Sequence, residues 1–221
     1  MNLADRFNEI RAKVPANVKI VAVSKTKPAE MINLLYSETD QRVFGENKVQ
    51  ELETKHRILP EDIDWHFIGH LQTNKIKYIS PYIGLIQSAD SFRLIREINK
   101  EAIKSDRVIP CLLQFHIASE EAKFGFSIEE AIEMLNDKSF FGLSNVSFKG
   151  VMGMATFTKD KKQIVKEFRQ LFSYFNKIKS EYFPLDSGFC EISMGMTDDY
   201  QLAIEEGSTI VRIGSGIFGE R

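Results

Sequence analysis

The sequence predicts an α/β fold: a single-domain (β/α)₈ barrel of the TIM type, with strands and helices alternating from one end of the chain to the other. Three observations carry this expectation. Short apolar runs are separated by longer stretches of helical periodicity, which implies parallel strands joined by right-handed crossovers. Eight such runs fit within 221 residues, the size at which a closed barrel forms one unit. No Pro/Gly/Ser tract, low-complexity linker or repeat divides the chain, so residues 1–221 read as one domain. Because the second and fourth runs are short enough to be loops, periodicity alone leaves an open flavodoxin-like or Rossmann sheet as the competitor.

Leu3, Phe7, Ile10 and Val14 recur at helical spacing and predict an opening amphipathic helix that Pro15 ends. The strand candidates follow as Val18–Val23, Arg42–Phe44, Trp65–Ile68, Gly84–Gln87, Val108–Ile117, Ser147–Val151, Phe189–Ile192 and Thr209–Ile213. Between them the pattern predicts helices over Ala29–Tyr36, Asn47–His56, Asn74–Ile79, Phe92–Ile103, Ile128–Leu135, Lys162–Lys179 and Asp198–Glu205. Pro28 suits a first helical position, and Ser91, Ser127 and Thr197 suit N-caps.

Composition excludes several classes. The formal charge is −2, without the basic surplus that phosphate neutralisation by a nucleic-acid binder requires. At 43% hydrophobic and 27% charged the chain lies outside the disordered class. No apolar stretch approaches the roughly 18 residues of a membrane span. Asp5, Arg6, Glu9, Arg11 and Lys13 interrupt any signal-peptide core, so a cytoplasmic location is expected. Cys111 and Cys190 both sit in apolar runs and are expected to be reduced core thiols. The four histidines lack metal-ligand spacing, so no metal site is expected.

In a barrel, ligands bind where strands pass into the following loops. Polar, small and glycine residues collect there: Ser24-Lys25-Thr26-Lys27 after the first strand, Gly45-Glu46-Asn47 after the second, and Gly69-His70 after the third. Ser193-Met194-Gly195-Met196-Thr197 follows the seventh, and the eighth runs into Arg212-Ile213-Gly214-Ser215-Gly216. The last two turns suit a phosphate, because glycine lets backbone N–H groups approach an anion and Ser193 and Ser215 add hydroxyl donors. Gly214-Ser215-Gly216-Ile217-Phe218-Gly219 also fits G-x-G-x-x-G, but only two residues follow it, too few for a dinucleotide fold. Lys25 holds the greatest chemical promise. An amine at a strand end, partly desolvated and near the cation of Lys27, is favoured in the neutral form that attacks an aldehyde. A lysine beside a phosphate cup meets both needs of pyridoxal 5′-phosphate (PLP). His116, and the Met152, Met154, Met194 and Met196 strings, read as strand and packing residues.

Several long segments, in order, resemble the PLP homeostasis protein family, also called the YggS/PROSC family. They are Val21-Ala22-Val23-Ser24-Lys25-Thr26-Lys27-Pro28, Phe44-Gly45-Glu46-Asn47, Trp65 through Lys75, and Ser193 through Asp199 continuing in Val211 through Gly219. The resemblance implies a fold like the N-terminal barrel of alanine racemase and PLP held as a Schiff base on Lys25. It further implies that Ser193, Gly214 and Ser215 bind the phosphate, that Arg212 lies near the pyridine nitrogen and that Asn47 lines the ring pocket. The implied role is PLP homeostasis; the leading expectation is a carrier that holds PLP and delivers it to apo-enzymes without turnover, and a monomer is expected because the second domain of the racemase-type dimer is not expected here. Where many relatives have Val-Asn after the Leu-Gln of strand five, this chain has Phe115-His116.

A PLP-dependent racemase or decarboxylase stands as the alternative, and a lysine aldolase acting on sugar phosphates lies further off. Racemisation needs two opposed bases, one of which comes from an additional domain and a partner subunit in alanine racemase-like enzymes. Arg221 follows closely on the eighth strand, so that second base is not expected here.

Overall fold

The structure is a computed structural model that describes residues 2–119 and 124–220. Asn2 opens α1 (Leu3–Arg11) with a capping box: its side chain accepts the Asp5 N–H at 2.7 Å, and the Asp5 carboxylate accepts the Asn2 N–H at 3.2 Å. The helix stops at Arg11, before Pro15, and the Arg11 guanidinium donates to the carbonyls of Val14, Pro15 and Val18 that follow. The chain then alternates as β1 (Lys19–Val23), α2 (Ala29–Glu38), β2 (Val43–Glu46), α3 (Val49–His56), β3 (Asp64–Phe67), α4 (Ile76–Ile79), β4 (Leu85–Ala89), α5 (Phe92–Lys104) and β5 (Ile109–His116). It continues as α6 (Ile128–Asn136), β6 (Val146–Met154), α7 (Lys161–Tyr182), β7 (Glu191–Ser193), α8 (Tyr200–Glu205), β8 (Ile210–Ile213) and α9 (Ser215–Phe218).

The eight strands form a closed parallel barrel in sequence order. Closure rests on β1 and β8, paired from Lys19↔Ile210 to Ala22↔Ile213. The short second and fourth runs are therefore strands, because each hydrogen-bonds to both neighbours. This rules out the open sheet. Side chains alternate along the strands with a period of two. Val21, Leu85, Leu112, Met152 and Ile210, with Val43 against them, form a small apolar cluster in the bore. Their neighbours, such as Ile20, Ala22, Phe44, Trp65, Phe67 and Ile86, belong to the larger core that packs against the helices.

Several local expectations are corrected. Pro28 is the N-cap of α2, with extended backbone, rather than its first residue. Ser91 and Ser127 do cap α5 and α6, but Asp199, not Thr197, precedes α8, because Thr197 is engaged by two backbone amides. Cys111 is buried, whereas Cys190 is exposed beside a strand whose pairing begins only at Glu191. Met152 and Met194 are buried packing residues, but Met154 and Met196 are 42% and 38% exposed at the barrel rim.

Strand β6 runs to Met154, three residues beyond its expected end, because β5 offers it backbone partners out to His116. Cys111 pairs with Phe148 but Leu112 with Gly150, leaving Lys149 as the extra residue of a bulge. Gly150 has φ +149°, and a Cβ there would lie 1.8 Å from the Glu191 carbonyl oxygen. Gly150→Ala is expected to destabilise the protein by about 3 kcal/mol, a fall of roughly 6–12 °C in Tm, read by thermal melting. Gly142→Ala, whose new methyl meets nothing within 4 Å, should stay within about 0.5 kcal/mol of the parent.

Candidate functional site

The site begins where β1 ends. Ser24 to Lys27 form a tight turn closed by the Lys27 N–H donating to the Ser24 carbonyl at 3.0 Å. Thr26, the third residue, has φ +65°. A β-branched residue in this region carries strain of order 1–3 kcal/mol, which surrounding contacts must offset. Lys25 occupies the second position, half-buried, and its side chain faces a cleft of ≈ 320 Å³ walled by Val23, Lys27, Gly214, Ser215, Gly219 and Glu220. The Lys27 ammonium donates to the carbonyls of Gly219 and Glu220 at 3.0 and 2.9 Å, which ties the turn to the segment after β8.

Across the cleft, the N–H groups of Gly214 and Gly216 converge on the Thr197 hydroxyl oxygen at 3.3 and 3.4 Å. These bonds are long, and two amides converging on one point is the geometry by which backbone N–H groups meet an anion oxygen. The Thr197 hydroxyl accepts both and keeps its own proton to donate. Ser215, exposed at the start of α9, stands beside them.

Ser193 parts from this cup. Its hydroxyl donates to Gln87 Oε1 and accepts from Arg212 Nη1, both at 2.6 Å, so its single proton is engaged inside the barrel. Arg212 also donates from Nη2 to the Gly153 carbonyl at 2.9 Å. Gln87 faces His66 Nδ1 at 2.9 Å, and His66 Nε2 lies 3.3 Å from Asp64 Oδ2. Because the Gln87 oxygen takes the serine proton, its NH₂ group faces Nδ1, and the imidazole proton sits on Nε2 toward Asp64. Arg212, Ser193, Gln87 and His66 are all buried, forming a polar layer in the bore. Burial pulls the Arg212 guanidinium down to about 10, with the Asp199 carboxylate opposing the shift. It remains a cation at neutral pH.

Asn47, directly after β2, is half-buried and lies outside the wall of the Lys25 cleft. Its Oδ1 is buried and has no hydrogen-bond partner among the described residues, which marks it as an acceptor shaped for a donor. The structure thus brings Lys25, Gly214 and Ser215 into one cleft and joins Ser193 to Arg212 beneath it, while Asn47 does not line that cleft. Of the residues that depart from the family pattern, Phe115 packs between Phe126 and Tyr174, while His116 lines a second cavity at the rim with Met154, Phe157 and Met196. Thr197 was expected as a helix cap rather than as the acceptor of two amides, and Gln87 and His66 were not singled out by sequence reasoning. The signal was available for the last two, as polar side chains at alternate positions of otherwise apolar strands. Among the described residues no cluster of His, Cys, Asp and Glu fits a metal ion, and no helix is long and apolar enough to cross a membrane.

The model of the alanine racemase N-terminal domain family matches residues 1–221. A pyridoxal phosphate homeostasis protein of Aquifex aeolicus is 38% identical over 204 residues, covering 92% of this chain and 87% of that protein. PipY of Synechococcus elongatus, solved without and with PLP bound, superposes with TM-scores of 0.91 and 0.86 at 30% and 29% identity. Both superpositions cover 99% of this chain and 100% of that one. The alanine racemase of Bartonella henselae, with covalently bound pyridoxal phosphate, superposes at a TM-score of 0.71 over 99% of this chain and 58% of its own. At 14% identity it shares the barrel fold alone. The closed barrel, the full-length family match and the relatives at this identity lead to one conclusion: the chain belongs to the alanine racemase N-terminal domain family and, within it, to the pyridoxal phosphate homeostasis proteins.

Proposed function

We propose that residues 1–221 act as a single PLP-binding unit that holds the cofactor through a Schiff base on Lys25 and delivers it to apo-enzymes without turnover of its own. The observation that carries this reading is the cleft itself. A lysine on a rigid turn faces the segment whose two amides converge on one point, and PipY, with the same fold over its whole length, has been solved with PLP bound.

The residues present fit the group. Gly214 and Gly216, whose N–H groups make long bonds to Thr197, would offer them to the phosphate, and the Thr197 hydroxyl would donate its own proton to it. Ser215 is placed to add a further hydroxyl donor. Asn47 Oδ1, which has no hydrogen-bond partner among the described residues, would take a donor at the ring pocket. Bound there, PLP supplies an aldehyde that a lysine amine attacks with loss of water. Ser193, its proton given to Gln87, serves the site by orienting Arg212 rather than by holding phosphate directly.

Arg212 supports the absence of turnover. A carboxylate beside the pyridine nitrogen keeps that nitrogen protonated and the ring a strong electron sink. A guanidinium donates to an unprotonated nitrogen and withholds that proton. Since Arg212 keeps its proton at neutral pH, it does not protonate that nitrogen, and turnover would then need well-placed bases on both faces of the ring, at least one of which is not expected here. The reading further places the protein in the cytoplasm, where Cys111 and Cys190 stay thiols, and treats it as a monomer.

Three outcomes follow from these residues. The purified protein carries a visible absorption band, and after borohydride treatment mass spectrometry finds the cofactor on the Lys25 peptide. A label on Lys27, or an unchanged band in Lys25→Ala, contradicts the assignment. Pyridoxal without its phosphate binds roughly 100-fold or more weakly than PLP, since charge-assisted bonds of about 1.5–3 kcal/mol each are lost and desolvation offsets only part of them. Matched titration curves for the two ligands would remove the amide cup from the reading. Finally, NMR should find no Lys25-dependent exchange of deuterium into the α-position of L- or D-alanine or other amino acids at an enzyme-like rate, while PLP passes to an apo-enzyme. Rapid exchange would bring the racemase or decarboxylase alternative to the front.

A further inference from the structure

Beneath the Lys25 turn, in the layer between the barrel wall and α3, three ionisable side chains meet that the cleft does not use. Glu46, the last residue of β2, is fully buried, and its Oε1 accepts the Ser24 hydroxyl at 2.7 Å and the Lys55 ammonium at 2.6 Å. Lys55, on α3, is also buried. Its ammonium donates to Glu46, to Glu51 Oε1 at 2.7 Å and to the backbone carbonyl of Ser24 at 2.8 Å. An ammonium has three protons, so each goes to a different residue of the cluster. Glu51 Oε1 in turn accepts the backbone N–H of Thr26 at 2.6 Å.

The cluster therefore grips the turn on both sides of Lys25. Ser24 is held through its hydroxyl and its carbonyl, and Thr26, in its strained left-handed conformation, is held through its N–H. None of the three charged residues belongs to the wall of the Lys25 cleft. A buried ion cluster is an expensive way to fill this space, since apolar side chains of similar volume stabilise as well or better. Its distinguishing property is direction: each hydrogen bond fixes an atom of the turn at one place.

We infer that Glu46, Lys55 and Glu51 are positioning residues for Lys25, fixing the direction from which its amine meets the bound aldehyde; this rests on the reading that Lys25 carries PLP. Loss of the grip leaves the amine able to react but no longer held in one orientation. Affinity falls, and the bound chromophore loses its fixed setting in the chiral site. Burial pushes the Glu46 carboxyl above the usual carboxylate range, with Lys55 and Ser24 opposing it. Removing Lys55 would strand two carboxylates and endanger the fold. Glu51 is the informative position, because it is partly exposed and its loss leaves Lys55 and Glu46 as a one-to-one pair.

The test compares the full-length parent, Glu51→Ala, Glu51→Gln and Lys25→Ala by PLP titration, reading absorbance, circular dichroism in the visible band and thermal melting. Glu51→Ala is expected to lose about tenfold in affinity, as for one charge-assisted hydrogen bond, and at least half of the visible dichroism per bound PLP, while still melting cooperatively. Glu51→Gln, which keeps an acceptor for the Thr26 N–H, should recover affinity to within roughly threefold of the parent. Parent-like affinity and dichroism in Glu51→Ala overturn the inference, as does an equal loss in both Glu51 variants. A loss of dichroism that only tracks a loss of folded protein also overturns it. An unchanged band in Lys25→Ala instead strikes the assignment of Lys25 itself, and that result is separate from anything the Glu51 variants show.

Discussion

The pairing of β1 with β8 is the constraint on which the site depends. Four successive residue pairs, Lys19↔Ile210 through Ala22↔Ile213, close the barrel and set the two strand ends side by side. Lys25 and Gly214 are far apart in the chain, yet each follows one of these strands by one or two residues. Once the ladder forms, the lysine turn and the glycine turn face one another with no further adjustment. Lys27 reinforces the join by bonding the carbonyls of Gly219 and Glu220. Parallel strands with a closed hydrogen-bond circuit present the same end of every strand to one mouth. Lys25, Gly214 and Ser215 therefore share one rim.

The bore beneath that rim has two layers with different physics. Lower down, Val21, Leu85, Leu112, Met152 and Ile210 fill it with apolar contacts. Above them Arg212, Ser193, Gln87 and His66 replace those contacts with hydrogen bonds. Burying an arginine is costly unless its donors are met, and Ser193 and the Gly153 carbonyl each accept one of them. The direction of each bond constrains the next, so Gln87 and His66 have one consistent orientation. Arg212 is thus a fixed cation supplied by the scaffold, reached from a neighbouring strand and not from the loops.

The lysine turn draws on a third kind of support. Its strain at Thr26 is balanced from the helix layer, through Glu51 and Lys55 on α3 and Glu46 on β2. Apolar packing dominates elsewhere in that layer, with Ile20, Ala22, Phe44 and Trp65 against the helices. The charged cluster sits only where the chain must leave the barrel wall in a conformation that threonine disfavours.

Much of this architecture was legible in the chain. Alternation of apolar runs and helical stretches implied parallel pairing, and strand-end composition picked out Lys25, Gly214 and Ser215 as neighbours of one mouth. Ser91 and Ser127 announced their helices because capping is local, settled within three residues. The tertiary structure alone decided the rest. Whether Arg42–Phe44 and Gly84–Gln87 were strands depended on backbone partners far away in the chain. The extension of β6 to Met154 depended on its pairing with β5 out to His116. Ser193 looked like a phosphate donor from its place beside Gly195, yet its hydroxyl is claimed by Gln87 and Arg212 from other strands. Glu46, Lys55 and Glu51 read as ordinary polar residues until the fold stacked α3 over the end of β1. Local chemistry is written in neighbouring residues, whereas the partner of a buried polar group is fixed only when the barrel closes.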